Sequence, residues 1–216
     1  MTEWLHATDR QGRFVKTEER VALLAEIRDH SRRHGDAHLA VPVVHIILLT
    51  TSGMIRLVQR GDKPENPFMW DKAVGGHVVC PQTELTRQVF DDNARKEMHE
   101  EIGIEQIIIA NDGLDYQRQL HSGQYDPNQW AVIRPIDYDP WQGSLSRVRQ
   151  GEPWLKRHNV MVYVGVFDGP FRFLDGEALN HRLITRAELM DELLANPWNY
   201  ADGARIFMQK YYHLLR

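Results

Sequence analysis

Two apolar runs in the first third of the chain constrain its fold more than any other feature. Residues 41–50 (VPVVHIILLT) and 54–60 (MIRLVQR) are rich in β-branched residues and leucine, and Thr51-Ser52-Gly53 between them is a turn signal. They predict two adjacent strands that form a buried hairpin at the core of a sheet. The 216 residues, 42% hydrophobic and 26% charged, suit a single domain.

Helical and hairpin patterns flank these strands. Residues 3–15 predict a short hairpin, and the residues that follow predict a helix that ends near Gly35. Its predicted buried face holds Val21, Leu24 and Ile27. We therefore expect one domain over residues 1–216, with an N-terminal hairpin and helix (about 1–36) and C-terminal helices (about 186–215) packed on it.

The second half of the chain gives weaker signals. We expect a third strand at residues 72–74 and a long loop or insertion over residues 137–154, which are rich in Pro, Gly and Trp. Thr185 and Glu188 form a capping box that opens a helix, and a last helix is predicted over residues 199–214.

A helix between about Arg87 and Ile102 carries the strongest chemical signal. Apolar residues recur every fourth position there and predict a buried stripe, which Gly103 ends as a C-cap. The members of the stripe are Phe90, Ala94, Met98 and Ile102.

Three acidic residues lie beside this stripe. Glu97, Glu100 and Glu101 have i, i+3, i+4 spacing, so their side chains emerge on one side of the helix and repel one another. Such a cluster favours a bound cation, and oxygen ligands favour Mg²⁺, with Mn²⁺ as its substitute. The alternative for an isolated cluster of this kind is a solvated helix face.

The flanking residues resemble the Nudix signature, G-x5-E-x7-R-E-U-x-E-E-x-G-U, in which U is a bulky aliphatic residue. Gly76 matches the opening glycine, and the second half matches in order and spacing. The matching residues there are Glu97, Met98, Glu100, Glu101, Gly103 and Ile104. The resemblance covers residues 40–104 best and implies an α/β fold, namely a Nudix-type α/β/α sandwich with a mixed central sheet.

The resemblance also implies a chemistry. Metal-dependent hydrolysis of a diphosphate linkage in a nucleoside diphosphate-type substrate is expected, through attack of an activated water at phosphorus. The implied metal ligands are Gly76, Glu97, Glu100 and Glu101, of which the last two are also catalytic. Glu177 is the candidate general base from a later loop, and the candidate substrate-binding residues are Lys96 and His77.

The chain departs from the signature at two points. Lys96 stands at the arginine position and lacks the planar fork of a guanidinium. Twenty residues separate Gly76 from Glu97 where the signature has fourteen, which places an insertion within residues 80–94. The first glutamate of the signature therefore has three candidate counterparts or none; the candidates are Glu84, Asp91 and Asp92.

Two alternatives to hydrolysis stay open. The first is a Nudix-fold module that binds its ligand without cleaving it. The second is an enzyme similar to isopentenyl diphosphate isomerase, in which histidines such as His38 and His77 would bind a metal. The cysteine that this isomerase requires would fall on Gly75, and its downstream glutamate would fall near residues 157–159, so both groups are missing. Cys80 lies four or five residues too far along the chain to replace the cysteine.

Composition and the N-terminal sequence limit the partners and the compartment that we expect for this chain. A net charge of −4 with intermixed acids and bases does not favour nucleic-acid binding. One cysteine excludes an internal disulfide, the N-terminus lacks a signal-peptide pattern, and no apolar run reaches the ~20 residues of a membrane span. We expect a cytoplasmic protein with a small diphosphate substrate and no membrane role; a homodimer stays open.

Overall fold

A mixed β-sheet forms the centre of the computed structural model, which describes residues 3–79, 84–149, 151–174 and 176–215. Within these residues there are ten strands: β1 (Trp4–Thr8), β2 (Phe14–Glu19), β3 (Ala40–Leu49), β4 (Ile55–Arg60), β5 (Trp70–Asp71), β6 (Val74–His77), β7 (Gln106–Ile109), β8 (Trp130–Ser146), β9 (Trp154–Val166) and β10 (Ala178–Ile184). The helices are α1 (Arg20–His34), α2 (Arg87–Ile102), α3 (Gly113–Leu120), α4 (Arg186–Ala195) and α5 (Asp202–Tyr211), with short 3₁₀ turns at Pro197–Asn199 and Tyr212–Leu214.

The apolar strand β3 organises the sheet. The main strand order is β10-β4-β3-β9-β8-β7, and β6 and β1 also pair with β3. The pairs β3–β9 and β7–β8 are parallel, whereas β4 and β6 run antiparallel to β3. Since β3 is buried along almost its whole length, both faces of the sheet must be covered.

Helices cover the two faces. Side chains of α2 and the strands form one apolar core that includes Phe90 and Met98, and residues of α4 and α5 such as Leu189 and Phe207 form the opposite core. The predicted α/β/α sandwich with a mixed sheet is therefore confirmed. No helix within the described residues is long and apolar enough to cross a bilayer.

Two predictions about local structure are wrong. Residues 137–154 are mostly strand, because β8 and β9 extend far into that range and pair with each other. Irregular register near Pro135 and Pro140 lets β8 continue past prolines that cannot donate to the ladder. In α1 the buried face holds Leu23 and Ile27, and Val21 is 72% exposed.

Other boundaries shift less. The third strand is divided into the two-residue β5 and the following β6, and the last helix begins at Asp202 after a 3₁₀ turn. The capping box at Thr185 and Glu188 is present at the start of α4.

Candidate active site

Helix α2 holds the carboxylate cluster in a fixed position against the sheet. Thr86 caps its N-terminus, and Gly103, with a φ of 69°, ends it in a left-handed conformation that favours glycine. The predicted stripe, Phe90, Ala94, Met98 and Ile102, is almost fully buried. Because the stripe fixes the rotation of the helix, its acidic side is directed to the edge of β6.

Glu97 packs directly against Gly76. The Glu97 residue is only 8% exposed, and a Cβ atom placed on Gly76 would lie 2.1 Å from the Glu97 Cδ. Gly76 itself is held by pairing with Val44 in β3. Only glycine leaves room for the Glu97 carboxylate at this point of the strand.

Glu101 lies beside the neighbouring glycine. The Gly75 backbone N–H donates to Glu101 Oε2 at 3.3 Å. Burial, with a smaller contribution from the Glu97 charge, raises the pKa of Glu101 to about 8. Burial also raises the pKa of Glu97, against the opposing effect of Lys96. Both carboxylates are thus held where a nearby cation would stabilise their charge.

Lys96 supplies one such positive charge. Its Nζ donates to Glu97 Oε1 at 3.2 Å and lies 3.0 Å from Glu100 Oε2. The Lys96 and Glu100 side chains are about half exposed. Lys96 therefore contacts two of the three glutamates, and its predicted role in substrate binding stays a prediction.

All seven predicted site residues line one cavity of about 760 Å³. They are Gly76, His77, Lys96, Glu97, Glu100, Glu101 and Glu177. Glu177, which is remote in sequence from the others, precedes β10 and contacts the Lys63 ammonium through its carboxylate. The fold thus brings the later-loop glutamate to the same space as the carboxylate helix.

The candidates for the first signature glutamate lie elsewhere. Glu84, Asp91 and Asp92 are not among the described residues that line the cavity. Asp91 accepts a hydrogen bond from the Tyr163 hydroxyl at 2.6 Å and another from Arg87 at 2.7 Å. Asp91 therefore already has two structural partners. Cys80 lies outside the described residues.

Three histidines on the sheet line the cavity. Burial lowers the pKa of His77 to about 3, and it lowers the pKa of His45 and His158 well below the ordinary value. The His45 and His158 rings meet edge-on with centroids 5.9 Å apart. His38 lies outside this group and contacts Glu26 at 3.0 Å.

Sequence reasoning missed the other walls of the cavity. Glu3, Arg20 and Leu24 line it from the N-terminal elements, and Lys72 and Lys156 line it from the sheet. No local motif marks these residues, because strand pairing across long sequence separations brings them together.

The donor set suits a hard divalent cation. Carboxylate oxygens and the Gly76 carbonyl are the oxygen ligands that Mg²⁺ and Mn²⁺ prefer, and the glycine at residue 76 leaves the space that the Glu97 carboxylate occupies. Among the described residues, no three His, Cys, Asp or Glu side chains are already grouped so that they could hold a metal ion.

Comparison with known proteins gives similarity in structure and not in sequence. No family model matches this chain, and no curated protein matches it. The crystal structure of DR0079 from Deinococcus radiodurans aligns with a TM-score of 0.60 and 17% identity, covering 97% of this chain and 99% of that chain.

Two further structures align less well. A MutT protein from Methanosarcina mazei has a TM-score of 0.48 and 14% identity, covering 80% of this chain and 92% of that chain. The Nudix domain of Shewanella oneidensis NrtR, complexed with ADP ribose, has a TM-score of 0.48 and 12% identity, covering 82% and 89%.

The strand and the helix of the signature are present in the fold. Gly76 lies on β6, the glutamates lie on α2, and Gly103 ends that helix. The resemblance predicted from the sequence is confirmed at the level of the fold: this chain has a Nudix-type fold.

Proposed function

We propose that this protein is a divalent-metal-dependent hydrolase of a phosphoanhydride bond, with a substrate of the nucleoside diphosphate type. One observation carries the proposal: Glu97, Glu100, Glu101 and Glu177 all line a single cavity, with Glu97 packed against Gly76 and Glu101 hydrogen-bonded to Gly75. A purely structural acidic face would need neither that cavity nor the close approach of Glu97 to Gly76.

Glu97, Glu100 and Glu101, with the Gly76 carbonyl, would hold the metal. When bound, a divalent ion polarises phosphoryl oxygens and lowers the pKa of a coordinated water. The carboxylates of α2 would hold that ion and, through it, the substrate's diphosphate, and Lys96 and His77 are proposed to contact the diphosphate. Lys96 lies beside this position, where its ammonium contacts Glu97 and Glu100.

Glu177 is proposed as the general base. Its side chain is 45% exposed, lines the cavity and contacts the Lys63 ammonium. In the proposed reaction a water oxygen bonds to phosphorus, the phosphoanhydride P–O bond breaks, and the departing phosphate takes the electron pair. The water proton passes to the Glu177 carboxylate.

Activity assays of glutamine variants test this proposal. We expect the wild type with Mg²⁺ to cleave a member of a panel of dinucleoside polyphosphates, nucleotide sugars and nucleoside triphosphates. Glu100→Gln and Glu101→Gln each remove one carboxylate charge, so we expect a loss of roughly 100-fold or more in kcat. Glu105→Gln, an exposed residue outside the cavity, is the matched control and should retain full activity.

The outcome also separates the alternatives. Unchanged activity in both cavity variants would overturn the site assignment. Ligand binding without cleavage would favour the binding module, for which the contact of Lys96 with two glutamates is the supporting observation. Release of dimethylallyl diphosphate from isopentenyl diphosphate would favour the isomerase.

A further inference from the structure

The basic side chains that line the cavity differ in how they are paired. Most contact a carboxylate of the cavity wall: Arg20 with Glu3, Lys63 with Glu177, Lys96 with Glu97 and Glu100, and Lys156 with Glu65. Arg60 lies 3.5 Å from Asp71 and donates to the Glu65 carbonyl. These groups largely neutralise one another before any ligand arrives.

Lys72 is the exception among the described residues of the cavity. Its side chain is only 8% exposed, yet its ammonium makes no hydrogen bond to a described residue. The carboxylate within 4 Å is that of Asp71, at 3.6 Å, which Arg60 also approaches. The Lys72 side chain is thus largely buried while its ammonium lines the cavity, so an acceptor that enters the cavity can use its free donors.

Two glycines make the space for this ammonium. A Cβ atom on Gly75 would lie 2.8 Å from Lys72 Nζ, and a Cβ atom on Gly203, near the start of α5, would also lie 2.8 Å from it. The ammonium is therefore held in a slot between β6 and α5. Any side chain at either glycine would displace it.

The slot adjoins the carboxylate cluster. Gly75, which bounds the slot, donates its backbone N–H to Glu101 Oε2. A diphosphate held beside Glu101 therefore lies next to the Lys72 ammonium as well. A charged donor of this kind forms stronger hydrogen bonds to phosphate oxygens than a neutral donor does.

We propose that the Lys72 ammonium binds a non-bridging oxygen of the substrate's diphosphate and so orients the diphosphate against the carboxylates of α2. The inference rests on the proposed function for the chemical class of the ligand. It assigns a substrate-binding role to a residue that is outside the signature helix.

Binding of methylenediphosphonate in the presence of Mg²⁺, measured by titration calorimetry, tests the inference without any hydrolysis. We expect Lys72→Met to weaken binding about 10- to 100-fold, because a charged hydrogen bond is lost. Lys72→Arg keeps the charge and should bind with an intermediate affinity. Lys156→Met is the matched control: it removes another cavity lysine, but one already paired with Glu65, and should change the affinity less than about threefold.

Several results would overturn the inference. They are an unchanged affinity in Lys72→Met, an equal loss in Lys156→Met, and a wild type that does not bind the diphosphonate. If Lys72→Met does not fold, the wild type labelled with ¹³C at the lysine Cε answers the question by NMR. The Lys72 signal, assigned with Lys72→Arg, must then shift on titration while the Lys156 signal does not.

Failure of the hydrolase proposal gives a different pattern. If the wild type binds the diphosphonate through Lys72 but cleaves no phosphoanhydride, the binding site stands and the catalytic assignment falls. If the wild type cleaves its substrate and Lys72→Met changes neither KM nor kcat, the proposed role of Lys72 is wrong and the catalytic assignment is unaffected.

Discussion

Replacing Gly76 with alanine would test whether the close approach of β6 and α2 creates the active site. The backbone of Gly76 does not have a positive φ, so alanine introduces no backbone strain there. The added methyl group would lie 2.1 Å from the Glu97 Cδ and 2.7 Å from its Cγ. The first effect of the substitution must therefore be movement of the Glu97 side chain.

The distance that the Glu97 side chain must move sets the expected loss of activity. Ordinary contact begins at 3.4 Å, so the Glu97 carboxyl group must retreat by more than about 1 Å. A misplacement of about 1 Å at a reacting centre can reduce the rate ~100-fold. We expect a fall of that order in kcat/KM, with a free energy of unfolding within about 1 kcal/mol of the wild type, since the obstacle is a side chain and not the backbone.

Kinetics on the substrate identified from the panel, together with urea denaturation, would check this expectation. Gly113→Ala, where nothing lies within 4 Å of the added methyl group, is the control and should leave kcat/KM unchanged. The double variant Gly76→Ala/Glu97→Ala should be no less active than Glu97→Ala alone, because no Glu97 carboxyl group is left for the added methyl group to displace. A Gly76→Ala enzyme with activity within threefold of the wild type would refute the reasoning.

Two further predictions concern stability. Met98 is fully buried on α2, so Met98→Ala should lower the free energy of unfolding by about 2–5 kcal/mol. Leu114 is 73% exposed, so Leu114→Ala should change the free energy of unfolding by less than about 0.5 kcal/mol. Chemical denaturation measures both values, and equal effects would contradict the described core. The pKa of Glu192 is lowered from 4.5, first by Arg182, so its contribution to stability is present above pH 4.5 and is lost as the pH falls through the lower folded pKa. Denaturation from about pH 6 down to about pH 3 should show a shallower acid loss in Glu192→Gln than in the wild type, and parallel curves would rule out this contribution.

The sequence predicted best those features that depend on neighbours along the chain. The stripe and C-cap of α2 and the capping box of α4 are local patterns, and each is present in the fold. The rotation of α2 follows from its stripe, so the side on which Glu97, Glu100 and Glu101 lie was also predictable.

Features that depend on distant pairing were not predictable. The segment with Pro135, Pro140 and Gly143 has the composition of a loop, but continuous pairing with β9 keeps it extended. In α1, Leu23 and Val21 are both compatible with an apolar stripe, and only the position of the sheet decides that Leu23 is buried. Lys72 carries no local signal, because its slot is formed by two glycines that are far apart in the sequence.

The N-terminal wall of the cavity and the proposed metal ligands come from different parts of the chain, so cavity shape and metal binding could evolve independently. The proposed metal ligands come from one continuous stretch, residues 76–101, whereas Glu3, Arg20 and Leu24 shape the cavity from elements that precede the first core strand. Exchanging or remodelling β1, β2 and α1 would alter which organic group fits beside the proposed diphosphate site without changing a residue of α2. The N-terminal layer is therefore the natural place to engineer a new substrate preference into this scaffold.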